Sequence, residues 1–250
     1  AVREIEPAMT TRTLKIRGNL AHAYQDVYTA DATNALQELA RFDADRKAVM
    51  AARIERRAAR ARNKERIAFL DQRTTIPRTS ITVEDARKGA FTGSDIPTDL
   101  RRQWIQGTGP ATRPGAPVEK SIRNVAYALL SGADGWMFDG EDALGQISTM
   151  SLDNQRNLRL AIHRDPVFLA VAEQVAAEMN QWARGFFGRP TIDDWSRQLD
   201  FTTKLFRPRG LHLDDRHVAH ADGSGFSASI VDATLYIVHN HRRLRTSGAS

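Results

Sequence analysis

The sequence predicts an α/β protein in which a parallel sheet carries helices on its outside. Three observations lead there. Beyond Val118, short apolar runs alternate with helix-spaced stretches in the order helix, strand, helices, strand, helix. The composition is that of a globular domain, with 41% hydrophobic and 26% charged residues in 250, long enough to bury a sizeable core. Both strands end in charge. Asp139-Gly140-Glu141-Asp142 closes one and Arg207-Pro208-Arg209-Gly210 the other, and functional loops in such folds follow the carboxyl ends of strands.

Taken in order, residues 1–30 read as an irregular lead-in. Thr33 to Leu70 holds no Gly or Pro and is rich in Ala, Arg, Leu and Glu. That predicts one long helix or two abutting ones, capped by Asp31 or Thr33, with an apolar stripe at Leu36, Leu39 and Phe42 that fades after Ile54. Residues 71–117 are rich in Gly and Pro and read as a connector, with helical pieces at Val83–Arg87 and Thr98–Trp104. Helices are expected over Lys120–Leu130, Asn154–Ile162, Asp165–Trp182 and Ser229–His239, and strands over Gly135–Phe138 and Thr202–Phe206. Asp222-Gly223 marks a tight turn.

Cysteine is absent, which excludes disulfides and thiolate chemistry. No apolar run approaches the ~20 residues of a membrane span, and Ala1–Thr13 lacks the apolar core of a secretory signal. A soluble cytoplasmic protein is expected, without a membrane partner. The net charge of +6 concentrates between Arg41 and Arg66. This stretch lacks interleaved aromatics, a helix-turn-helix pattern and a dimerising heptad. Its arginines read as falling on all sides of a solvated helix, so no nucleic-acid partner is expected.

Three constellations bear on chemistry. Asp139, Glu141 and Asp142 suit Mg²⁺, directly or through its waters, because hard cations want oxygen ligands. They equally suit an acidic turn that caps the next helix through its dipole. Arg207, held rigid beside Pro208, suits the stabilisation of an enolate or a polarised carbonyl; two surface arginines in a turn are the plainer alternative. His212, Asp214, Asp215, His217, His220 and Asp222 resemble a metal site by count, but their spacing matches no strong metal motif and the segment reads as a loop.

Several runs together resemble the malate synthase family. Pro117-Val118-Glu119-Lys120, Asn124–Leu129 and Met137-Phe138-Asp139-Gly140-Glu141-Asp142 are similar to the family's first barrel strand and its lead-in. Phe206-Arg207-Pro208-Arg209-Gly210-Leu211-His212-Leu213, then His217-Val218, is similar to its second-strand signature. Gly225 to Asn240 resembles the helix that follows. Met50–Ile54 and Ile96–Leu100 fit the family's N-terminal helical region more loosely. Gly140 departs from the aromatic common at that position, and Ser148–Leu199 diverges.

The resemblance implies an N-terminal helical region and connector over 1–116, followed over 117–250 by the first two units of a (β/α)₈ barrel, incomplete in this chain. It implies a Mg²⁺-dependent acyltransferase of the glyoxylate cycle that condenses acetyl-CoA with glyoxylate. Arg207 would stabilise the enolate, and Asp139, Glu141 and Asp142 would stand beside the metal without ligating it directly. The metal's carboxylates and the catalytic base would lie outside this chain, in a missing C-terminal half, so the 250 residues alone are expected to be inactive. A malyl-CoA or citryl-CoA lyase of the same superfamily and a non-catalytic binding protein are the alternatives.

Overall fold

Parallel strands need crossover connections, and here the crossovers are helical. The computed structural model describes residues 13–101, 104–107, 115–132, 135–139, 149–199, 203–207 and 213–248, with the backbone alone for 104–107, 135–139 and 203–207. Strands β2 (Trp104–Gly107), β3 (Gly135–Asp139) and β4 (Thr203–Arg207) form a parallel sheet in that order. The chain passes from β2 to β3 through α5 (Val118–Ser121) and α6 (Arg123–Leu130). It returns from β3 to β4 through α7 (Met150–Ile162), α8 (Pro166–Phe187) and α9 (Trp195–Gln198). Both expected strands form within one residue of their predicted limits. The third, β2, lies at the end of a stretch expected to be helical, where only Thr98–Leu100 makes a single 3₁₀ turn.

The longest crossover helix, α8, is specified locally at both ends. Asp165 caps it by accepting from the Val167 amide at 2.9 Å, and Pro166 occupies the first turn, where its missing N–H costs nothing. Phe168, Val171, Ala172, Val175, Ala176 and Ala183 recur at helical spacing and are buried. The first five of these pack against Ile122, Val125, Ala126, Leu129 and Leu130. Gly188 stops the helix in the left-handed conformation at φ 70°. Gly188→Ala is therefore expected to lower stability by about 1 kcal/mol, since a side chain there meets the left-handed penalty. Urea denaturation reads this, and an unchanged midpoint would mean that the cap does not fix the helix end.

A second sheet brings the two ends of the chain together. β5 (Asp214–His220) pairs antiparallel with β1 (Leu14–Ile16) on one side and β6 (Gly225–Ser227) on the other. The expected turn joins β5 to β6: Gly223 sits at φ 86° and the Ser224 amide donates to the Asp222 carboxylate at 2.8 Å. Two sequence expectations change here. Residues 13–30 of the lead-in form β1 and the short helix α1 (Leu20–Ala23), with Tyr24, Val27 and Tyr28 in the core. The His- and Asp-rich loop is instead strand β5.

The long N-terminal helix resolves into α2 (Ala30–Leu39), a 3₁₀ turn (Ala40–Phe42) and α3 (Asp43–Arg62). Its cap is Thr29, whose hydroxyl accepts from the Ala32 amide, rather than Asp31 or Thr33. The buried stripe is Ala32, Leu36 and Ala40, at intervals of four, while Phe42 turns outward. α3 ends at Arg62, eight residues before Leu70, with Lys64 in a left-handed conformation just beyond it. α4 (Val83–Arg87) forms as expected, closed by a capping box between Thr82 and Asp85. α10 (Ala228–Thr246) runs seven residues past its predicted end and buries Val231 and Leu235 against the N-terminal elements.

Candidate functional site

Parallel strands buried by crossovers place their carboxyl ends at one edge of the sheet, where the chain leaves into loops. At that edge β3 ends on Asp139 and β4 on Arg207, and these two residues are register partners on neighbouring strands. Neighbouring strands run ~4.8 Å apart. The fold thus sets the acidic last residue of one strand beside the basic last residue of the next. Glu141, Asp142, Arg209 and His212 lie outside the described residues.

The second constellation resolves into structural roles. The Asp215 carboxylate is buried and accepts from the backbone amides of His217 and Val218, both at 2.7 Å. Asp222 serves the β5–β6 turn, and the amide it holds keeps its carboxyl below the ordinary range. His220 packs edge-on against Phe226, and its Nε2 stands 2.9 Å from a carboxylate oxygen of Asp43. Asp214 takes the guanidinium of Arg46 at 2.9 Å. A Cβ on Gly225 would push this Asp214 carboxylate aside from its present position.

Asp43 is the centre of this cluster, and composition alone gave no sign of it. It has no exposed surface, and it receives Arg46 at 2.6 Å, Lys47 at 3.2 Å and His220. Burial raises its pKa, but the hydrogen bonds from Arg46, His220 and Lys47 outweigh that and hold the carboxyl below its usual value. The signal that could have found it is an acidic residue opening a helix, three and four residues before Arg46 and Lys47.

A further polar network ties α7, the helix after β3, to the N-terminal segment. Arg156 grips Asp26 with two bonds of 2.6 and 2.7 Å and lies 4.6 Å from the centre of the Tyr24 ring. Tyr24 donates to Asp153 at 2.8 Å. Burial works against ionised Asp26, but the bonds and charge of Arg156 and the charge of Arg159 keep its carboxyl low. Burial also lowers His239, whose ring nitrogen lies 2.7 Å from the Val27 carbonyl.

Among the described residues no group of three or more His, Asp or Glu side chains is placed to hold a metal ion. Asp139 alone does not make a Mg²⁺ site. No described helix is long and apolar enough to cross a membrane.

No family model matches the chain. It is, however, similar to curated malate synthases across most of its length. The Myxococcus xanthus malate synthase is 29% identical over 199 residues, which cover 76% of this chain and 31% of that protein. The glyoxysomal malate synthase of Zea mays is 29% identical over 228 residues, 90% of this chain and 34% of the relative. The malate synthase of Dictyostelium discoideum is 26% identical over 243 residues, 96% and 37% respectively. This chain therefore spans about a third of the length of the relatives it matches. Similarity sustained over so much of the chain, in several separate malate synthases, makes it a relative of the malate synthase family.

Proposed function

We propose that the chain forms part of a malate-synthase-type acyltransferase that condenses acetyl-CoA with glyoxylate and releases CoA. The observation that carries this reading is the register pairing of Asp139 with Arg207 at the carboxyl edge of the parallel sheet. The similarity to malate synthases supports it. So does the strand order, because β2, β3 and β4 are consecutive, parallel and adjacent, as in the opening strands of a (β/α)₈ barrel.

In this reading Arg207 meets the negative charge that develops on the thioester oxygen when a methyl proton of acetyl-CoA is removed. A fixed guanidinium stabilises such an enolate more than the neutral thioester, and so lowers the barrier. Asp139, Glu141 and Asp142 hold that guanidinium in place and order solvent beside it. Mg²⁺, expected from the resemblance, finds no ligand set among the described residues. No step here runs through it, and its direct ligands are assigned outside this chain.

The test is CoA release, followed with a thiol reagent, from acetyl-CoA, glyoxylate and Mg²⁺ by the natively expressed protein of measured intact mass. Glyoxylate-dependent release from a species larger than 27.9 kDa is expected, with none from the 250-residue chain alone. Cleavage of malyl-CoA to acetyl-CoA and glyoxylate, with no free thiol formed, would replace this reading with a lyase. No turnover from any species would leave a binding protein. In the active species Arg207→Ala is expected to reduce kcat about 100- to 1,000-fold, the scale for one lost oxyanion donor. A normal kcat would remove Arg207 from the chemistry.

A further inference from the structure

The basic segment that the proposed reaction leaves unused has a definite geometry. Among the described residues, the side-chain bonds that anchor α3 to the rest of the chain lie in its first turn, at Asp43, Arg46 and Lys47, and nearly every residue from Ala48 to Arg62 is exposed. Within it, Arg53, Arg56, Arg57 and Arg60 follow the spacing i, i+3, i+4, i+7, which places them on one face of the helix. The remaining charges of this part of the helix form a pair elsewhere on its circumference, where Arg62 reaches Glu55 at 2.6 Å. Among the described residues, none of the four stripe arginines has an ion-pair or hydrogen-bond partner. The arginines are therefore sorted, and the expectation that they surround the helix evenly does not describe α3.

Like charges at i, i+3 and i+4 destabilise a helix, and among the described residues no acidic side chain pairs with them. A local rule broken without internal compensation points to an external ligand. Its chemistry follows from the donors. Guanidinium groups fit phosphate oxygens in pairs, and arginine predominates over lysine from Arg53 to Arg66. The eight-residue stripe extends ~10 Å along the helix axis. That length matches about three successive phosphates of one nucleic-acid strand at ~3.4 Å each. An acidic protein surface has no such fixed repeat.

We propose that the Arg53–Arg60 face of α3 binds the phosphate backbone of nucleic acid, without reading its sequence. The inference is independent of the condensation reaction.

The test is fluorescence anisotropy of a labelled 20-base-pair DNA duplex of mixed sequence, titrated with the full chain from 50 to 300 mM KCl. Neutralising three phosphates predicts a slope of about −2.7 in log affinity against log salt. The variant Arg53→Gln/Arg56→Gln/Arg57→Gln/Arg60→Gln is expected to flatten that slope to near zero and to weaken binding at 50 mM KCl at least tenfold. Because these side chains are exposed and mutually repulsive, the variant should keep its helical circular dichroism and its Tm. The control Arg242→Gln/Arg245→Gln, exposed on α10, should retain the parent's slope. Equal loss of binding in the control would reduce the effect to net charge and overturn the proposal. Absence of duplex binding, with stripe-dependent binding to phosphatidylserine vesicles or to polyglutamate, would overturn it in favour of a lipid or acidic-protein partner.

Discussion

Asp43→Ala is expected to destabilise the chain by about 3–5 kcal/mol, the range for removing one member of a buried charge cluster. The size follows from what the substitution leaves behind. Arg46 is 9% exposed and would lose its shorter carboxylate bond while keeping the one to the more exposed Asp214, and Lys47 and His220 would lose their carboxylate partner. Their desolvation remains and their compensation does not. For a chain of this length the drop in Tm should be ~6–20 °C. Differential scanning calorimetry of parent and variant at neutral pH decides it, and a shift of only a degree or two would show that the cluster is not coupled to folding.

The same residue sets an acid limit. The folded pKa of Asp43 lies below the unfolded value, near ~3.9, so its stabilisation is complete above that value and is lost as the pH falls through the folded pKa. Asp43→Asn should be less stable than the parent at neutral pH. It should also lose less on acidification, so that the two unfolding midpoints converge as pH drops. Asp26, held low by Arg156 and Arg159, continues to titrate in both proteins and supplies the residual slope.

Phe168→Ala should be of similar size by a different mechanism. Phe168 is fully buried, and truncating it removes apolar contact and opens a cavity that α6 and α8 cannot wholly close, at about 3–5 kcal/mol. It belongs to the core beneath the parallel sheet's helices, whereas Asp43 sits beside the antiparallel sheet. The two should therefore add in a double variant, within about 0.5 kcal/mol. A clear shortfall in chemical denaturation would mean that the two cores unfold separately.

What could be read in the sequence was what local chemistry decides. Strands β3 and β4 stand out as short apolar runs stopped by charge, and α8 carries its start signal in Asp165-Pro166, although it runs on past the expected end at Trp182 to Phe187 before Gly188. The α4 boundaries follow from a capping box only a few residues long. The errors share a cause of the opposite kind. β5 reads Asp-Asp-Arg-His-Val-Ala-His, a composition that suggests a loop, and becomes a strand only because Leu14–Ile16 and Gly225–Ser227 flank it. β1 is three residues long and has no periodicity to read.

The candidate site divides in the same way. Strand ends are local, so Asp139 and Arg207 were visible as candidates; their direct pairing is a matter of register and was not. Asp43 was passed over because its partners His220 and Asp214's Arg46 bridge depend on a hairpin more than 160 positions away.

The pairing of β1 with β5 also dictates a schedule. Leu14 meets His220, and Ile16 meets Val218. During synthesis at 5–20 residues per second, the first strand waits ~10–40 s for its partner to be made. Throughout that interval Ala32 and Leu36 on α2 lack the α10 surface that later covers them. The nascent chain thus offers an unpaired strand and a bare apolar helix face to its surroundings well before it can protect either. A ribosome-associated chaperone that holds the first forty residues until α10 emerges would raise the yield of folded protein without touching its final stability.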